Sequence, residues 1–87
     1  MKIRKKEPLE AIKAKDLSKL PLEQIKDWLS GRYYEHNAVT EMVAYRNDFG
    51  KNIYVYGNDW IIKSIDGKFL RKIANVEFEA LYEEVDK

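Results

Sequence analysis

Between Trp60 and Ile73 the chain reads WIIKSIDGKFLRKI, two alternating runs on either side of Asp66-Gly67. This feature restricts the fold more than any other. A two-residue type I′ hairpin turn needs positive φ at both central positions, which Asp-Gly supplies. Such a turn sets the register. Ser64 then faces Phe69, Ile62 faces Arg71 and Trp60 faces Ile73 on one surface; Ile65 faces Lys68, Lys63 faces Leu70 and Ile61 faces Lys72 on the other. The first surface is the more apolar and is expected to meet the helices.

The remaining elements follow from periodicity. Leu9–Ala14 alternates after Pro8 and is expected to be a strand. From Pro21, Leu22, Ile25 and Leu29 recur at helical spacing with Trp28 widening the stripe; Pro21 suits a first turn and Gly31 the C′ position, so a helix is expected from Pro21 to Ser30. Ala38–Arg46 alternates as a strand with Val39, Val43 and Tyr45 on one side. Asn47-Asp48-Phe49-Gly50 is a turn cluster leading into the β-branched and aromatic run Ile53–Tyr56, and the two strands should pair as a hairpin. Gly57-Asn58-Asp59 breaks that run and re-aims the chain. A closing helix is expected from Asn75, a good N-cap, with Phe78, Leu81, Tyr82 and Val85 as its apolar stripe. The expected class is α+β: one antiparallel meander of about four strands, one helix before it and one after. The expected core is Ile25, Leu29, Val43, Ile53, Val55, Ile62, Phe69, Phe78 and Leu81.

At 87 residues the chain is expected to form a single domain over 1–87. Charged residues make up 36% of it and nearly cancel to +1, which argues against a general polyanion binder. With no cysteine there is neither a disulfide framework nor a sulfur-based zinc site, which fits a reducing cytoplasm. The basic start Met1–Lys6 is followed by no apolar h-region, and no run is long enough to span a bilayer, so a soluble protein that is not exported is expected.

The order of these pieces resembles that of small phage and prophage proteins known as PGDYG proteins after a short turn motif. The matching residues are Glu10-Ala11, the helix at Ile25–Leu29, the turn at Gly50, Asp59-Trp60-Ile61-Ile62-Lys63, Gly67, and Phe78 with Tyr82. They span nearly the whole chain. Tyr56-Gly57-Asn58-Asp59 departs from the motif in lacking its proline and carrying an extra Asn. The resemblance brings no catalytic residues. It implies a phage or prophage setting, in which small accessory proteins act by binding host machinery, for example as inhibitors of CRISPR nucleases or other defences.

The residues themselves advertise no reaction. His36 is the only histidine and lies in a polar stretch beside Glu35 and Asn37, without the convergent partners that a metal site or a nucleophilic triad requires. Asp59 and Asp66 occupy turn positions that account for them. The glycines are dispersed and form no phosphate loop. No cofactor, metal or catalytic residue is expected. Tyr54, Tyr56 and Trp60 are expected to serve packing.

Two features suit a partner. Ile61, Lys63, Ile65, Lys68, Leu70 and Lys72 would form one basic–aliphatic hairpin face, and Tyr33-Tyr34, read as lying in a connector, would expose an aromatic pair. The function expected is a non-enzymatic phage accessory protein that binds and inhibits a host or defence protein. A nucleic-acid-binding module using the same lysines, a small-molecule or nucleotide sponge, and a homodimer remain as alternatives.

Overall fold

The computed structural model describes residues 2–3, 9–66 and 70–82. In chain order these form β1 (Lys2–Ile3), β2 (Leu9–Lys13), α1 (Ala14–Leu17), α2 (Leu22–Trp28), β3 (Tyr33–Asn37), β4 (Met42–Arg46), β5 (Asn52–Tyr56), β6 (Trp60–Ser64), β7 (Leu70–Ile73) and α3 (Asn75–Leu81). All strand pairs are antiparallel, and the class is α+β as expected. The strands divide into two sheets, β1-β2-β6-β7 and β3-β4-β5.

The division occurs at Gly57–Asp59. Gly57 has φ +58, its N–H donates to the Glu41 carbonyl at 2.9 Å, and its own carbonyl accepts from the Lys15 N–H at 2.9 Å. The Asp59 carbonyl accepts from the Ala14 N–H at 2.9 Å. This turn therefore leaves the three-stranded sheet and enters the four-stranded one while fixing the start of α1.

The β6–β7 register is the one the Asp-Gly turn predicts: Trp60 opposite Ile73, Ile61 opposite Lys72, Ile62 opposite Arg71 and Lys63 opposite Leu70. Gly67 and the predicted pairs through Lys68 and Phe69 lie outside the described residues. On the other side of β6, β2 pairs along its whole length, from Leu9 opposite Ser64 to Lys13 opposite Trp60. That places β6 inside the sheet, with hydrogen-bonded neighbours on both edges.

One face carries Leu9, Ala11, Trp60, Ile62 and Ile73 under Phe78 of α3. The Trp60 and Phe78 rings stack at 3.9 Å with an interplanar angle of 9°. The opposite face brings Ile61 into the larger core with Ala14, Leu17, Ile25, Leu29, Val43, Tyr45 and Val55. Both faces meet helices, whereas the sequence assigned them to only one.

The helices begin and end much as their sequences suggest. Pro21 precedes α2, and Ser30 and Gly31, at φ +53 and +82, end its course. Only Ile25 and Leu29 of the predicted stripe are fully buried; Leu22 is exposed. In α3 the cap position falls on Ala74, so Asn75 is the first helical residue rather than the cap. The Asp59 carboxylate accepts the Asn75 N–H at 3.2 Å instead, and the Asn75 side-chain carbonyl accepts the Trp60 indole N–H at 2.7 Å. A turn residue sixteen positions earlier thus satisfies one of the donors left open at a helix start.

Leu81 is solvent-exposed, which corrects its assignment to the core. The chain leaves the helix at Tyr82, whose extended backbone (φ −132°, ψ 158°) lets its ring pack 5.4 Å from Phe78. Val39 likewise does not stand beside Val43. Residues 38–41 form a turn: Asn37 Oδ1 accepts the N–H groups of Val39 at 2.9 Å and Thr40 at 3.1 Å, and Glu41 takes φ +59.

Candidate functional site

The basic–aliphatic face proposed from sequence is not a free surface. Ile61 is fully buried in the main core, and Leu70 is half-buried against it. Lys63 keeps only 12% of its side chain exposed. Its ammonium donates to the Trp28 carbonyl at 2.8 Å, lies 4.4 Å from the centre of the Trp28 ring and stands 3.6 Å from the Glu10 carboxylate. It clamps the end of α2 to the sheet. Lys72 is exposed but donates to the Tyr54 carbonyl at 2.9 Å, and Ile65 is exposed near the end of the hairpin. Lys68 lies outside the described residues. The physical reason for the correction is that this face points at α2 and the second sheet.

Tyr33 and Tyr34 are strand residues, not a connector, and they separate. Tyr33 is half-buried against the core, and its hydroxyl shares a hydrogen bond with His36 Nδ1 at 2.8 Å. Between Tyr33 and Glu35 the β3–β4 register shifts, with Tyr33 opposite Tyr45 but Glu35 opposite Ala44. A bulge of this kind adds one residue and re-aims a side chain. Here the extra residue is Tyr34, which reaches the far side of the sheet and meets Tyr54 edge-on at 6.4 Å and 87°.

That far side is the candidate site. In β4 and β5 alternate residues point the same way, so Met42 lies opposite Tyr56, Ala44 opposite Tyr54 and Arg46 opposite Asn52. The other parity, Val43, Tyr45, Ile53 and Val55, supplies the core. Tyr34, Tyr54 and Tyr56 are 40%, 37% and 53% exposed, yet Met42 and Ala44 beside them are buried. Ala44 is small enough for the Tyr34 and Tyr54 rings to meet above it. The Arg46 guanidinium lies 5.8 Å from the centre of the Tyr34 ring, and its Nε donates to Asn52 Oδ1 at 3.4 Å.

The face is aromatic and close to neutral. Arg46 and Glu35 are its opposite charges, both exposed. Partial withdrawal from water, followed by the neighbouring Tyr34, Glu35 and Tyr56, raises the Tyr54 hydroxyl above the ordinary phenol range. At neutral pH the Tyr54 hydroxyl is therefore protonated and can both donate and accept. The sequence assigned Tyr54 and Tyr56 to packing and Met42 and Ala44 to the strand side away from Val43 and Tyr45, and placed none of them, nor Arg46, in a site. The signal that finds them is parity: Ile53 and Val55 claim the inward positions, which leaves both tyrosines facing out.

Among the described residues no group of three His, Cys, Asp or Glu side chains could hold a metal ion, and no helix is long and apolar enough to cross a membrane. Comparison with protein-family models, curated proteins and solved structures finds no match.

Proposed function

We propose that this chain is a non-enzymatic binding protein whose partner surface is the outer face of the three-stranded sheet. The observation that carries the reading is the cluster of Tyr34, Tyr54 and Tyr56 around buried Met42 and Ala44, with Arg46 at its side. Tyr, Met and Arg are the residue types enriched where protein partners meet, and rigid aromatic side chains lose little entropy on docking. The near-neutral charge of the face favours a protein over a nucleic acid, whose phosphates demand several cations.

The resemblance to small phage and prophage proteins gives this reading its setting: an accessory protein in the host cytoplasm that binds and inhibits a host or defence protein. The test is affinity capture from bacterial lysate with the wild type and a variant combining Tyr34→Ser, Tyr54→Ser and Tyr56→Ser, followed by a salt series on the recovered complex. Binding that changes little with salt and disappears in the variant supports the proposal. Affinity that falls steeply with log salt shifts the reading to nucleic acid.

A further inference from the structure

A second feature lies away from the tyrosines. A cleft of about 520 Å³ opens between the β4–β5 turn and the edge made by β7 and the start of α3, a volume in the range of small-molecule sites. Tyr45 and Ile73, both buried, and half-buried Ile53 give it an apolar lining. Phe49, Arg71 and Lys72 border it.

Phe49 is 93% exposed. The turn that carries it is firmly tied: Asn47 Oδ1 accepts the N–H groups of Phe49 and Lys51, each at 2.9 Å, and Asp48 pairs with Arg32 at 2.8 Å. A large apolar ring is thus held in water, at the lip of a concavity, by a turn with little freedom to withdraw it. The charges on the opposite side are unevenly matched. No described carboxylate pairs with Arg71, and the Lys72 ammonium donates one of its three protons to the Tyr54 carbonyl. Asp48 is already engaged by Arg32, which leaves Glu77 as the opposing charge on the lining.

We infer that this cleft binds a small aromatic anion, with its ring against Phe49 and its carboxylate or phosphate against Arg71. Stacking on an aromatic face tolerates many ring systems, and a guanidinium recognises either anionic group. The site is independent of the tyrosine face, so either can fail without the other.

The test is a titration of the whole chain, followed by NMR chemical shifts, with two probes that combine ring and charge (adenosine monophosphate and indole-3-carboxylate) and two that separate them (adenosine and inorganic phosphate). Saturable binding of at least one combined probe is expected, with each separated probe about tenfold weaker or more. Phe49→Ala and Arg71→Gln, both at exposed positions, should each weaken the combined probe by about tenfold, while Glu77→Gln should tighten it several-fold. The triple tyrosine variant should bind it as the wild type does. The inference is overturned if neither combined probe saturates, if phosphate alone binds as well as adenosine monophosphate, or if Phe49→Ala and Arg71→Gln leave binding unchanged.

Discussion

In β6, Trp60, Ile61 and Ile62 are buried in succession because α3 covers one face of the four-stranded sheet and the main core covers the other. In β4, Met42, Val43, Ala44 and Tyr45 are buried in succession as well, but only Val43 and Tyr45 reach that core. Met42 and Ala44 instead lie opposite Tyr56 and Tyr54 of their own sheet, which remain partly exposed. The same burial pattern thus marks a strand enclosed by the fold in one case and the floor of an open surface in the other. A sheet face covered only by its own aromatic residues is where a partner can still add apolar contact.

The contrast is tested most strongly at Ile61. Ile61→Ala removes a fully buried side chain at the junction of both sheets and should cost about 4 kcal/mol in denaturant unfolding. A change near zero would mean that this face of the four-stranded sheet is open, as the sequence alone suggested. Phe78→Ala should follow at about 3 kcal/mol, with loss of the near-ultraviolet circular dichroism of the stacked Trp60. Lys63→Ala leaves the Trp28 carbonyl and the Glu10 carboxylate without their cation and should cost about 1–3 kcal/mol. By contrast, Leu81→Ala should change stability by less than about 0.5 kcal/mol, because that side chain is exposed.

Alkaline titration probes the inner side of β4 by a different route. Burial raises the Tyr45 hydroxyl above its ordinary value, so the folded state favours the neutral phenol. Stability from this source is fully present below the unfolded pKa of about 10 and is lost as pH rises through the folded pKa. Phenolate absorbance should show Tyr45 ionising late, close to unfolding, and a Tyr45→Phe variant should lose one late-ionising phenol while keeping the raised Tyr54. Ionisation of every tyrosine at the ordinary phenol value would contradict the enclosure of this side of the strand.

Local chemistry made much of the fold legible. Asp66-Gly67 implied the β6–β7 register, and Asn47-Asp48-Phe49-Gly50 implied the hairpin that precedes it. Pro21 and Gly31 bracketed α2. What could not be read was long-range: nothing in Leu9–Lys13 indicates that it pairs with β6, and nothing in β6 indicates that the helices and the second sheet pack over Ile61 and turn an expected surface inward. Tyr33–Asn37 reads as a connector because an edge strand with a bulge and polar side chains has little alternation to show. Of the candidate site, only Tyr34 was picked out. Lys63 misled because the stem of a lysine can run inward while its ammonium finds a carbonyl and a carboxylate, so its charge alone did not indicate water.

The central claim is that the partner meets the outer face of β3, β4 and β5, and the most direct measurement is the affinity of the recovered partner for the variant combining Tyr34→Ser, Tyr54→Ser and Tyr56→Ser. These side chains lie outside the core, so the variant should remain folded by circular dichroism, with a stability loss of about 1 kcal/mol from uncovering Met42 and Ala44. Its affinity should fall by about a hundredfold, the scale expected when clustered hot-spot aromatics are truncated. A folded triple variant that holds the partner with undiminished affinity would contradict the account and move the binding surface off this sheet.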